Sequence, residues 1–146
     1  MRQAFHWFTP EPSLREFRRI LKPSGRLAVV WNNRDNEDAF TGEYSRIIRK
    51  ASSNHPAESR MKSVEPLLAT THFGNVREYK FIYRQELDLN GLIGRAMSVS
   101  YLPREGAVHE QLIADLKSAH HFLSNRQGFV YIVYRTSVHL AEPLQD

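Results

Sequence analysis

This sequence of 146 residues contains no cysteine, which excludes disulfides, thiolate metal ligands and a cysteine nucleophile. The lack of cysteine suits a reducing compartment, and the cytoplasm is the expected location. No apolar run approaches the roughly 20 residues of a membrane span, so no membrane partner is expected. Met1-Arg2-Gln3 leads into aromatics rather than the apolar core of a leader, and no export is expected. The seven glycines are scattered and never form Gly-x-Gly-x-Gly, the loop that brings backbone N–H groups against a nucleotide. Gly-x-Ser-x-Gly does not occur and no acid pair has a supporting context, so hydrolase chemistry has no support. His120 and His121 are adjacent and point about 100° apart on a helix. They cannot act as a metal pair, and no metal site is expected.

What is present reads as an α/β protein. The net charge of +4 sits early, with 12 Lys/Arg against 7 Asp/Glu in residues 1–62 and 8 against 9 afterwards. Arg15, Arg18, Arg19 and Lys22 fall on one helix, and Arg46, Arg49 and Lys50 on another. No recognition helix, zinc finger or RNA-binding motif accompanies them. They read as solvated helix faces, and no nucleic-acid partner is expected.

The first helix can start at Thr9-Pro10, with Pro10 at its first position, or at Ser13, where Ser13 and Glu16 have capping-box spacing. Leu14, Phe17, Ile20 and Leu21 recur at helical spacing, and Pro23 and Gly25 end the helix. The apolar run Leu27–Trp31 predicts a strand buried on both faces. Asn32-Asn33-Arg34-Asp35-Asn36 reads as a polar loop at its carboxyl end. A second helix carries Phe40, Tyr44, Ile47, Ile48 and Ala51 on one face; Ser52–Lys62 reads as a surface loop and Val64–Ala69 as a helical turn. Val76–Leu87 alternates imperfectly as a strand, with Tyr79, Phe81 and Tyr83 on one face. Leu92, Ile93, Ala96 and Met97 mark a third helix, and Val108, Leu112, Leu116, Ala119 and Leu123 a fourth. Phe129–Leu140, rich in β-branched and aromatic residues, is the clearest strand.

The segment Gln3-Ala4-Phe5-His6-Trp7-Phe8 stands about fifteen residues ahead of Leu21-Lys22-Pro23-Ser24-Gly25-Arg26-Leu27-Ala28-Val29-Val30-Trp31. With the final pair of long strands, it resembles the carboxyl-terminal half of a class I S-adenosylmethionine-dependent methyltransferase of the small-molecule type. The resemblance spans nearly the whole chain, 1–146, read as one partial domain lacking the glycine-rich cofactor-binding half. Thr9 replaces the usual aspartate, keeping a capping oxygen, and Ser24 replaces the first of two glycines. The fold implied is an incomplete Rossmann-like sheet with flanking helices, its antiparallel last strand slotted between the fifth and sixth. Those three strands map onto Arg26–Trp31, Val76–Leu87 and Phe129–Leu140.

The resemblance also implies roles. Gln3, Ala4 and Phe5 would line the methyl-bearing side of S-adenosylmethionine, and His6 is the candidate catalytic base. Trp7, Asn32 and Arg34 would line the cleft for a small-molecule methyl acceptor. Tyr44 and Tyr101 stand on stretches that would cover it. Core packing is the competing reading for the tyrosines and Trp7, and a structural hydrogen bond for His6. The expected activity is methyl transfer, with the isolated chain inactive because its cofactor contacts are missing. The alternative is a non-catalytic dimerisation or partner-binding module. Either a second copy or a separately encoded amino-terminal half would cover an open, apolar sheet edge beside Arg26–Trp31.

Overall fold

The computed structural model describes residues 4–56 and 63–144, apart from the side chain of His6. Most of the expected Ser52–Lys62 loop therefore lies outside the described residues, as does Gln3. After a 3-10 turn at Phe5–Trp7 come α1 (Pro10–Ile20), β1 (Leu27–Arg34), α2 (Ala39–Ala51), α3 (Glu65–Ala69) and β2 (Phe73–Leu87). Helices α4 (Leu89–Met97) and α5 (Gly106–Leu123) and strand β3 (Val130–Pro143) complete the order. The sheet has the strand order β1-β3-β2. Thr136 meets Asn32 and Val133 meets Asp35, one number rising as the other falls, so β3 runs antiparallel to β1. Asn75 with Glu142 and Gln85 with Tyr134 give β3 the same sense against β2. The last strand therefore sits antiparallel between the other two, as the resemblance implies.

The chain divides into two compact units, one drawn from 4–33, 63–81 and 135–144, the other from 34–56 and 82–134. In the first, Leu27, Val29 and Trp31 of β1 face a core with Phe5, Leu14, Leu67, Phe73 and Ala141. Ala28 and Val30 are only half-buried, so β1 alternates where burial on both faces was expected. Helix α1 takes the Thr9-Pro10 start, but Thr9 forms no side-chain cap. Pro10 has no N–H to satisfy, and its fixed φ starts the helix without help. No capping box forms at Ser13 because both Glu16 carboxylate oxygens are held at 2.7 Å by Arg19. That bond draws the Glu16 carboxyl below its usual range. Ile20, expected on the apolar face, is exposed. Buried Trp31 Nε1 and His139 Nδ1 lack hydrogen-bond partners among the described residues, a cost of about 1–3 kcal/mol each.

In the second unit the five apolar residues foreseen on α2 are all buried, and α2 packs on α5 beside α4. Their partners include Leu92, Ala96, Leu112, Leu116, Val130 and Ile132. A fully buried Ile or Leu contributes about 1.5–3 kcal/mol, so this interface dominates the unit's stability. Two aspartates start its helices: Asp38 accepts from Thr41 N–H at 2.9 Å and Asp88 from Gly91 N–H at 2.7 Å.

Strand β1 runs three residues further than the apolar run. The expected loop residues Asn32, Asn33 and Arg34 belong to it. Beyond its end, Asp35 N–H donates to Val133 C=O at 2.9 Å. The Val133 N–H then donates to the Thr41 hydroxyl at 2.8 Å, and that hydroxyl donates to Asp38 at 2.7 Å. A helix side chain thus takes over where a strand backbone leaves. Residues 77–84 of β2 are exposed on both faces; the face shared by Tyr79, Phe81 and Tyr83 is not covered by the described residues. No described helix is long and apolar enough to cross a membrane.

Because Thr41 is fully buried and its hydroxyl serves two partners, Thr41→Val orphans the Val133 N–H. Urea unfolding should show a loss of about 1–3 kcal/mol. Thr41→Ser, which keeps the hydroxyl, should lose clearly less. Equal losses in the two variants would assign the effect to packing instead.

Candidate functional site

The residues singled out in the sequence fall into both units. In the first, Ala4 C=O accepts from Trp7 N–H at 2.9 Å to close the 3-10 turn. Phe5 anchors that turn by meeting Trp31 edge to face, ring centroids 6.3 Å apart. Phe5 is buried in the core, so its ring is a packing element. Trp7 is exposed. Asn32 accepts the Thr136 hydroxyl at 2.8 Å, which ties its amide into the sheet. The His6 side chain, the candidate base, lies outside the described residues.

The second unit brings three of the expected acceptor residues into one neighbourhood. The Arg34 guanidinium stands 5.5 Å from the centroid of the Tyr44 ring, a cation–π distance. Tyr44 is buried, held by its place among Phe40, Ile47 and Ile48 on α2. Tyr101 stacks on His55 at 4.5 Å, the planes within 4° of parallel. Arg95 of α4 is half-buried in the same unit, close enough for Tyr44, Tyr101 and Tyr134 to act on its charge. Tyr134 is itself braced by the Tyr83 ring at 6.1 Å and by Gln85, which accepts its hydroxyl at 3.3 Å.

Arg95 carries the electrostatics. Burial opposes its charge, yet the hydroxyl of Tyr134 and the fields of Tyr44, Tyr134 and Tyr101 hold its pKa above the ordinary arginine value. A tyrosine phenol bears no charge at neutral pH, so those neighbours orient the cation without neutralising it. Its Nη1 donates to Ser98 Oγ at 3.1 Å, and the guanidinium also bonds the Tyr134 hydroxyl. No carboxylate pairs with it among the described residues. A guanidinium offers five N–H donors, so part of this fork has no partner among the described residues.

Arg95 was missed in the sequence, although a signal existed. It is the one charged residue in the helix Leu-Asn-Gly-Leu-Ile-Gly-Arg-Ala-Met, one turn from Leu92 and beside Ala96, both buried. A lone charge on the apolar side of a short helix asks for a reason. Tyr134 reads in the sequence only as one residue of the strand Phe129–Leu140, and nothing there distinguishes it from its neighbours.

The described residues do not form a nucleotide cradle. Gly106 and Gly128 adopt positive φ, but a Cβ added at either would meet nothing within 4 Å. Gly91 and Gly94 lie inside α4. A backbone that must approach a cofactor needs its glycines in one loop, and these are dispersed. No group of three or more His, Asp or Glu side chains is placed for a metal among the described residues.

No protein-family model matches this sequence. Individual relatives do. An uncharacterized methyltransferase of Schizosaccharomyces pombe is 33% identical over 106 residues, 70% of this chain and 41% of the relative. A methyltransferase-like protein of the same yeast is 32% identical over 115 residues, 75% of this chain and 44% of the relative. An uncharacterized methyltransferase of Mycobacterium tuberculosis is 32% identical over 99 residues, 68% of this chain and 37% of the relative. The chain is a relative of methyltransferases. It spans less than half the length of these curated relatives. A crystal structure of a candidate methyltransferase from Bacillus halodurans aligns over 96% of this chain and 66% of its own, with 16% identity and a TM-score of 0.42. The methyltransferase relationship thus rests on sequence, with the α/β fold and its central last strand in agreement.

Surroundings that hold the Arg95 pKa up favour its charged form in the folded chain. Arg95→Met, which keeps the stem but removes the hydrogen bonds to Ser98 and Tyr134, should therefore lower the unfolding free energy by about 0.5–1.5 kcal/mol. Chemical denaturation measures this. No loss, or a gain, would mean that the fold does not compensate the charge.

Proposed function

We infer that this chain forms the acceptor-side portion of an S-adenosylmethionine-dependent methyltransferase acting on a small molecule. The observation that carries the reading is the shared sequence with three proteins named as methyltransferases or methyltransferase-like. The strand order, with β3 between β1 and β2, is what the resemblance implies for the end of that fold. Arg34, Tyr44 and Tyr101 are assigned to the acceptor. Trp7 and Asn32 are assigned to the acceptor and Ala4 and Phe5, with Gln3, to the cofactor's methyl-bearing side. His6 is the base where the acceptor must lose a proton.

Methyl transfer needs chiefly that donor and acceptor be held in line at short range. Rigid tyrosines and an arginine fork suit that task, since they lose little rotamer freedom on binding. The cofactor contacts are assigned elsewhere, because the glycines here offer no cradle. A covalently continuous segment, a separately encoded chain or a second copy would supply them. Alone, the chain is expected to transfer no methyl group. A non-catalytic pairing role is the second reading, favoured by the exposed Tyr79, Phe81, Ile82 and Tyr83 along β2.

Calorimetric titration with S-adenosylhomocysteine tests the division of labour. The isolated chain, shown to be folded by circular dichroism, should give no heat. Joined to the remaining stretch of the fission-yeast relative, it should bind in the micromolar range. Binding by the isolated chain would overturn the assignment of cofactor contacts elsewhere. Silence in both settings, with a dimer by sedimentation, would favour the pairing role.

A further inference from the structure

We propose that β2 is a self-pairing edge: two copies of this chain join by laying residues 77–85 of one antiparallel to residues 77–85 of the other, centred on Phe81. The inference deepens the pairing reading by naming its partner and register. It is also compatible with methyl transfer, because the edge beside β1 stays free.

Two observations put an open edge here. Strand β2 lies outermost in the order β1-β3-β2, so it bonds β3 on one side and no described strand on the other. Residues 77–84 are exposed on both faces, and they include Tyr79, Phe81, Ile82 and Tyr83, with Phe81 57% and Ile82 74% exposed. Unpaired strand N–H and C=O groups are a template for another strand, and clustered exposed apolar side chains mark an interaction surface.

The order of the charges says which strand fits. When a two-fold axis perpendicular to the sheet relates two antiparallel strands, the numbers of facing residues have a constant, even sum, and facing side chains lie on one face. Centred on Phe81, Glu78 faces Arg84 of the second copy, and Arg84 faces its Glu78. Tyr79 then faces Tyr83, Phe81 faces Phe81, Lys80 faces Ile82 and Arg77 faces Gln85, with no like charges opposed. A centre at 80 sets Lys80 on Lys80. A centre at 82 sets Lys80 on Arg84 and Glu78 on Glu86. A centre at 79 pairs Glu78 with Lys80 but turns Tyr83 to Asn75 and Arg84 to Gly74. Of these four, the centre at 81 alone joins opposite charges on one face and aromatics on the other, the pairs that stabilise an antiparallel ladder.

Contacts within the chain do not occupy the outer edge. Glu78 stands 3.6 Å from His139 and 3.4 Å from Lys80, Arg84 lies 4.9 Å over the Tyr131 ring, and Tyr83 stacks at 6.1 Å on Tyr134. Each of these partners stands on β2 itself or on β3, the strand already paired with it.

Sedimentation of the full chain over a concentration series tests the pairing. The parent should dimerise with a dissociation constant of roughly micromolar size, as small interfaces do. Glu78→Arg and Arg84→Glu each oppose like charges twice across the two-fold, and each should weaken the dimer about tenfold or more. The double variant should recover it. Mixing the two single variants should recover it too, because each supplies the charge that the other lacks. Backbone amide exchange of the parent needs no substitution: residues 77–85 should gain protection as concentration rises. A parent that stays monomeric would overturn the proposal, and so would a dimer indifferent to Arg84→Glu or losses that neither the double variant nor the mixture repairs. Protection elsewhere with none at 77–85 would place the contact on another surface and overturn it as well. A monomeric parent, with S-adenosylhomocysteine bound by the joined protein, would sink this inference alone. A dimer through β2 without such binding would leave it standing and remove the methyltransferase reading.

Discussion

A single buried hydroxyl holds the second unit in register. Thr41 receives the Val133 N–H of β3 and gives its own proton to Asp38, the residue that caps α2. Two groups, one at the end of a strand and one at the start of a helix, are joined through one side chain. Everything placed downstream inherits that register. Tyr44 follows Thr41 by three residues on α2, Tyr134 follows Val133 on β3, and Arg34 immediately precedes the Asp35 N–H that bonds Val133 C=O. Tyr44, Tyr134 and Arg34 are thus neighbours in sequence of the groups meeting at Thr41. Buried polar networks of this kind are all-or-none in effect, because each unmet partner carries its full desolvation cost.

Arg95 is the counterpart of that arrangement. Thr41 joins its two partners through one hydroxyl, whereas part of the Arg95 fork has no partner among the described residues. The phenols that act on Arg95 favour its charged form without neutralising it, which a carboxylate neighbour would do.

The sequence made the element order legible, and the physical reasons are visible in particular residues. Helix α2 was legible because Phe40, Tyr44, Ile47, Ile48 and Ala51 mark one face at helical spacing. The place of β3 was not derivable from periodicity; it came from the resemblance, and the antiparallel pairing of Asn32 with Thr136 agrees with it. The end of β1 was misjudged because Asn32, Asn33 and Arg34 are polar. Polarity marks which groups need partners, and here a strand partner is available to Asn32 in Thr136. Thr9 and Ser13 illustrate a similar limit: each has a capping oxygen, but Pro10 and the Arg19–Glu16 pair make caps unnecessary or unavailable. Of the residues named in advance, Arg34, Tyr44 and Tyr101 fall in one unit, with Arg34 over the Tyr44 ring. Arg95 itself was passed over because attention went to loop ends, where catalytic residues gather, and not to a lone charge within a helix.

The strand order has a consequence for how this sheet comes into being. β3 lies between β1 and β2, yet it is the last of the three to leave the ribosome. Until then neither earlier strand has its neighbour, and the pair Asn32–Thr136 closes a separation of 104 residues. Assembly of the sheet is therefore a late, non-local event, slow by the rule that distant pairings pay loop-closure entropy before they gain contacts. Helices α2, α4 and α5 can associate beforehand, with the Thr41 hydroxyl waiting for its amide. Through that interval β1 and β2 are bare templates, and the charges set among the aromatics of β2, Arg77, Glu78, Lys80 and Arg84, serve the nascent chain as guards against pairing with a stranger.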